Sequence, residues 1–165
     1  MPLLGQLIET VEQLIKEHEQ LLQLAERKKR VLIDGDMESL QEIVNREVQA
    51  IRKVEKLETE RMKQGERIAA AYGLKVEELT ASKLAAMEPD PQRAARFNLL
   101  TGRFVKVMGE LSAANDLNGQ LIQQSLDLVQ RSIDLLTVAP DALTYTGKGD
   151  TEQASGPRRF FDSKA

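Results

Sequence analysis

Apolar residues keep to one helical face from Pro91 to Thr137, and a chain that carries so long a helix has few ways to fold. Leu100, Phe104, Val107, Leu111, Asn118, Ile122, Ser125, Val129 and Leu136 recur at helical spacing. Asp90 suits the N-cap, Pro91 suits the first turn, and Pro140 marks the expected stop. At about 1.5 Å per residue the unbroken helix runs to ~70 Å. Its apolar face needs other helices to cover it.

Two such helices precede it. Leu4, Leu7, Val11, Leu14, His18, Leu21, Ala25, Lys28 and Leu32 alternate by threes and fours without a slip. Leu3, Ile8, Ile15, Leu22 and Leu24 flank this seam, so the stripe is wider than a two-stranded coiled coil needs. That width favours a globular bundle. The first helix should stop at Ile33-Asp34-Gly35, where Gly35 can take a left-handed cap and Asp36 can cap the next helix. So short a connection makes the pair antiparallel. The second helix should span Met37 to Tyr72, with Leu40, Val44, Ile51, Val54, Leu57 and Met62 as its apolar face. Its remaining surface mixes charges of both signs, the mark of a solvated face.

Gly73 is a plausible C-cap. Leu74, Val76 and Leu79 then form a short apolar connection, and Thr80 can cap a brief helix from Ala81 to Met87 that ends before Pro89. This segment should be the least regular part of the body. From Val138 onward the hydrophobic period is lost, and Pro140, Gly147, Gly149, Gly156 and Pro157 punctuate a polar segment. Such a composition buries too little apolar area to offset chain entropy and predicts disorder in isolation. The expected fold is therefore all-α: an elongated antiparallel hairpin or bundle of three long helices with a short connecting helix. Residues 1–137 form the helical body and residues 138–165 a flexible tail.

Composition narrows the function classes. Net charge is -3, which gives no broad electrostatic attraction for nucleic acid or anionic membrane. The absence of cysteine excludes disulfides and thiolate metal sites and fits a reducing cytosol. The N-terminal residues lack the basic region of a secretory signal, and no apolar run reaches the ~18 residues of a membrane span.

Catalytic patterns are missing. The single histidine, His18, sits in the first seam, with no second histidine four residues on and with Ile15 where a di-iron bundle wants a glutamate. Gly147-Lys148-Gly149 lacks the spacing of a phosphate loop. No nucleophile pairs with a base. We expect no cofactor and no metal site.

Binding features are clearer. Asn118 lies near the centre of the last helix's apolar face and Asn115 toward its edge. A buried amide fixes register or contacts a ligand. Gly102, Val105, Gly109, Ser112 and Ala113 fall together on the back of that helix. They are either tolerated surface residues or a shallow strip where another helix approaches closely. The tail holds Tyr145, Phe160 and Phe161, three of the six aromatic residues of the chain. Tethered aromatics dock in a partner's pocket or pack back onto the body.

The order of several segments resembles the FlgN-type flagellar export chaperones. Glu26-Arg27-Lys28-Lys29 followed by Asp34-Gly35-Asp36-Met37-Glu38-Ser39-Leu40 is similar to the family's first hairpin. Asn115-Asp116-Leu117-Asn118-Gly119-Gln120-Leu121, leading through Ser125-Leu126 to Leu135, is similar to its most characteristic segment. Tyr145 with Gly147 or Gly149 resembles the post-helical Tyr-x-x-x-Gly pattern, and Phe161-Asp162-Ser163-Lys164-Ala165 resembles the ending of Bacillus-type members. The resemblance implies a cytosolic helical chaperone. It would bind the C-terminal helical regions of the hook–filament junction proteins FlgK and FlgL and deliver them to the type III export gate. Substrate-binding candidates on the last helix are Asn115, Asn118, Gly102, Val105 and Gly109. Tyr145, helped by Phe160 and Phe161, is the candidate for docking on the gate protein FlhA. The competing reading is a self-associating coiled-coil adaptor, with the first seam driving dimerisation.

Overall fold

The structure, a computed structural model, describes residues 2–141, with side chains from 3 to 136. Four α-helices carry the described chain: α1 Pro2–Asp34, α2 Met37–Tyr72, α3 Ala81–Met87 and α4 Pro91–Asp141. A 3-10 turn, Val76–Glu78, lies between α2 and α3. Among the described residues there is no strand, so the fold is all-α. The chain divides into two units, residues 1–121 and 122–165.

The first unit is built on the α1–α2 hairpin. Gly35 takes φ +71°, and the Asp36 backbone N–H returns to Val31 O at 3.2 Å, which closes α1. Asp36 then opens α2. Its Oδ1 accepts from Ser39 N at 3.1 Å and its Oδ2 from the Ser39 hydroxyl at 2.6 Å. The Ser39 hydroxyl and backbone N–H together hold the Asp36 carboxyl below its ordinary range. At the far end Gly73 takes φ +66°, with Leu74 N bonding Ala69 O and Gly73 N bonding Ala70 O. These paired bonds are a Schellman closure. Lys28 bridges Glu47 at 3.1 Å near the turn, while Lys53 lies 3.9 Å from Glu17 farther down. Rising numbers on α1 thus meet falling numbers on α2, as an antiparallel pair requires.

The α1 seam is buried within the chain's own bundle. Leu4, Leu7, Val11, Leu14 and Ala25 are buried, and so are Ile8, Ile15 and Leu24 beside them. Burial of each large aliphatic contributes ~1.5–3 kcal/mol. The expected α2 face is rotated from the observed one. Ile43, Ala50, Gln64, Ile68 and Ala69 are buried, whereas Ile51 and Met62 are exposed. Alanine and glutamine build much of this contact, and a face traced through large aliphatics alone misses them.

The connection is short but contributes to the core. Thr80 Oγ1 accepts from Lys83 N at 3.1 Å and caps α3. Ala85 joins Leu4, Leu7, Ile8, Val11, Ile15, Ile68, Phe97 and Leu100 in one cluster, with Leu79 and Leu84 packed against it. The Glu88 carboxylate is buried, paired with Arg93 Nη1 at 3.0 Å and accepting from Asp90 N at 3.1 Å. Asp90 Oδ1 in turn accepts from Gln92 N at 3.0 Å in the first turn of α4. In its first part α4 runs parallel to α1. Arg96 Nε bonds Glu12 and, seven residues on, Arg103 Nε bonds Glu19, each at 3.0 Å. Helix α4 ends at Asp141, past the expected stop at Thr137. Proline's fixed φ is compatible with a helix, and the bond it forgoes falls in the final turn.

Candidate functional site

Of the candidate binding residues, Gly102, Val105, Gly109, Asn115 and Asn118 lie on helix α4, whose two stretches differ. Phe97, Leu100, Val107 and Asn118 are buried in the first unit, with Phe104 and Leu111 half-buried. In the second unit Ile122, Leu126, Val129, Ile133 and Leu136 repeat at spacings of four, three, four and three. All five are exposed, Val129 to 55% and Leu136 to 78%. Leu128 and Leu135 are exposed as well. The expectation that Ile122, Val129 and Leu136 belong to a covered face is therefore corrected. A 51-residue helix carries more apolar face than helices of 33 and 36 residues bury.

The amides separate. Asn118 is 3% exposed and donates from Nδ2 to Ala25 O at 2.8 Å, while its Oδ1 is buried without a partner among the described residues. It ties α4 to α1, which is the register-fixing arrangement. Asn115 is exposed. Gly102, Val105 and Gly109 form one solvent-facing strip on the side of α4 opposite Asn118, and a Cβ added at either glycine meets nothing within 4 Å. Tyr145, Phe160 and Phe161 lie outside the described residues.

His18 is occupied structurally. Its Nδ1–H donates to Leu14 O at 2.7 Å, and its ring meets Phe104 edge-on, with centroids 5.1 Å apart. Among the described residues no group of three or more histidine, aspartate or glutamate side chains is placed to hold a metal ion. No described helix is long and apolar enough to cross a membrane.

These features define an all-α bundle whose last helix carries an apolar seam at the surface. The family model described as FlgN protein matches residues 1–153, nearly the whole chain. The chain belongs to the FlgN family, a family of flagellar export chaperones. Membership points to flagellar hook-associated proteins as partners. No curated protein sequence and no solved structure matches the chain.

Proposed function

We propose that this chaperone binds the C-terminal helical regions of FlgK and FlgL and delivers them to the export gate protein FlhA. The observation that carries this reading is the exposed seam of Ile122, Leu126, Val129 and Leu136. Apolar residues at helical spacing on a surface suit the apolar face of an amphipathic partner helix. A junction subunit awaiting export needs such a face covered. The strip of Gly102, Val105 and Gly109 with Asn115 is a second contact on the same helix, and Asn118 supports the surface from inside by fixing register. Tyr145, assisted by Phe160 and Phe161, docks the loaded complex on FlhA. Tyr145 falls within the family match, and the two phenylalanines follow it. Self-association through the α1 seam has little support, since that seam is spent on intramolecular packing.

The test is calorimetric titration with peptides of the FlgK and FlgL C-termini. Val129→Asp should weaken binding at least tenfold while leaving helicity and melting intact. Undiminished affinity would remove the seam from the site.

A further inference from the structure

We propose that the groove between α1 and α2 is a docking site for an acidic peptide segment of a partner protein. This cavity, of about 400 Å³, is walled by Gln20, Gln23 and Arg27 from α1 and by Arg46, Gln49 and Lys53 from α2. Leu24 and Ala50, both buried, form its floor. Each wall repeats at three and four residues, so each presents one helix face to the cavity. The antiparallel register set by Lys28 and Glu47 places Arg27 and Arg46 at the same end.

This arrangement is poor for a helix pair that only needs to hold together. Like charges brought to one cavity repel, and an antiparallel contact is free to oppose unlike ones. The wall residues are three cations and three amides, with no carboxylate among them. Arg27 is exposed and, among the described residues, has no ion pair within 4.0 Å. Among the described residues Arg46 pairs with Glu42, one turn before it on its own helix and equally exposed. Lys53 stands 3.9 Å from Glu17. The Arg46–Glu42 pair is exposed on both sides, and such pairs are weak and exchange readily for a ligand carboxylate. The chain as a whole carries a net charge of -3, so the groove is a local reversal of sign.

The chemistry selects the ligand. A guanidinium fork grips a carboxylate with two parallel hydrogen bonds. The three glutamines offer both donors and acceptors, which suit peptide C=O and N–H groups, and their acceptors are of no use to a bare anion. Ala50 opens the space because its side chain is short, and the apolar floor strengthens charge pairing above it. The site lies wholly within the α1–α2 hairpin of the first unit.

The probe is a hexaglutamate peptide titrated into the full chain and followed by amide chemical shifts, beside hexaglutamine and inorganic phosphate. Shifts should be confined to residues 20–27 and 46–53, and hexaglutamine should give none. Arg27→Glu should lower affinity at least tenfold with an unchanged melting curve. Arg67→Glu, an exposed cation lower on α2, should leave affinity within twofold. Equal loss in both variants, or shifts spread along the chain, would overturn the site in favour of general electrostatics. Phosphate that binds as tightly as the peptide would overturn the peptide assignment and leave a small-anion site. Gln49→Ala gives a second check, since unchanged peptide affinity there would exclude the backbone reading.

Discussion

The buried and exposed stretches of α4 are built from similar residues but do different work. Leu100 and Val107 lie against other helices of the first unit, whereas Val129 and Leu136, also on an apolar helical face, meet solvent. Hydrophobic periodicity therefore states that a face needs a partner and is silent on which chain supplies it. In the first unit the partner is internal, and polar contacts fasten it: Arg96 to Glu12, Arg103 to Glu19 and Asn118 to Ala25 O. In the second unit Val129 and Leu136 stay exposed, which is the ground on which cargo binding is proposed for that face.

The sharpest way to break this comparison is to delete equal volumes from both stretches. Leu100→Ala, at 8% exposure, should cost about 2–5 kcal/mol in chemical denaturation. Leu136→Ala, at 78% exposure, should stay within about 0.5 kcal/mol. Similar losses at both positions would show that the seam is packed in the free protein and would end the docking proposal.

A smaller effect is expected at the amide that ends the buried stretch. Asn118→Ala removes the bond to Ala25 O and should destabilise by about 1 kcal/mol. Asn115→Ala, at an exposed position, should be neutral for folding. If Asn118→Ala abolished junction-peptide binding without loss of stability, its amide would be a ligand contact and not a register bond.

A perturbation confined to the hairpin sharpens the contrast further. The folded Asp36 carboxyl titrates below its ordinary value of 3.8, first because of the Ser39 hydroxyl and then the Ser39 N–H. Its folded pKa is depressed, so its contribution is present above 3.8 and is lost as pH falls through the lowered value. Asp36→Ala should lower the melting temperature near neutral pH, and the gap from the parent should close on strong acidification. A gap independent of pH would remove the ionised cap as its cause.

Much of the first unit is legible in the sequence because local chemistry decides it. Gly35, Asp36, Gly73, Thr80 and Pro91 set helix ends through backbone conformation and capping bonds within a few residues. The α1 seam is equally plain, since large aliphatics fill it. The α2 face is harder, because Ala50 and Gln64 at the contact carry no hydrophobic signature of burial. Phe97 is likewise absent from the periodic set, although it sits in the central cluster. The exposure of the α4 seam needs a length comparison: the last periodic stretch is longer than either helix available to cover it. The α1–α2 groove is illegible in sequence, because its walls come from residues nineteen or more positions apart and its opening depends on the short side chain of Ala50.

The smallest effect concerns the third surface of α4, the strip of Gly102, Val105 and Gly109. Glycine within an exposed helix costs ~1 kcal/mol relative to alanine, because the unfolded chain has more freedom to lose. Among the described residues nothing lies within 4 Å of a Cβ built at Gly109, so Gly109→Ala should raise stability by up to about 1 kcal/mol. If the strip only tolerates glycine, junction-peptide affinity should be the same in Gly109→Ala and in the bulkier Gly109→Leu. If it receives a partner helix at close range, alanine should be accepted and leucine should weaken binding several-fold, with melting intact in both. Comparing these losses with that of Val129→Asp ranks the two surfaces of α4. An effect confined to the seam would assign cargo to the exposed stretch alone and leave Gly102, Val105 and Gly109 as surface.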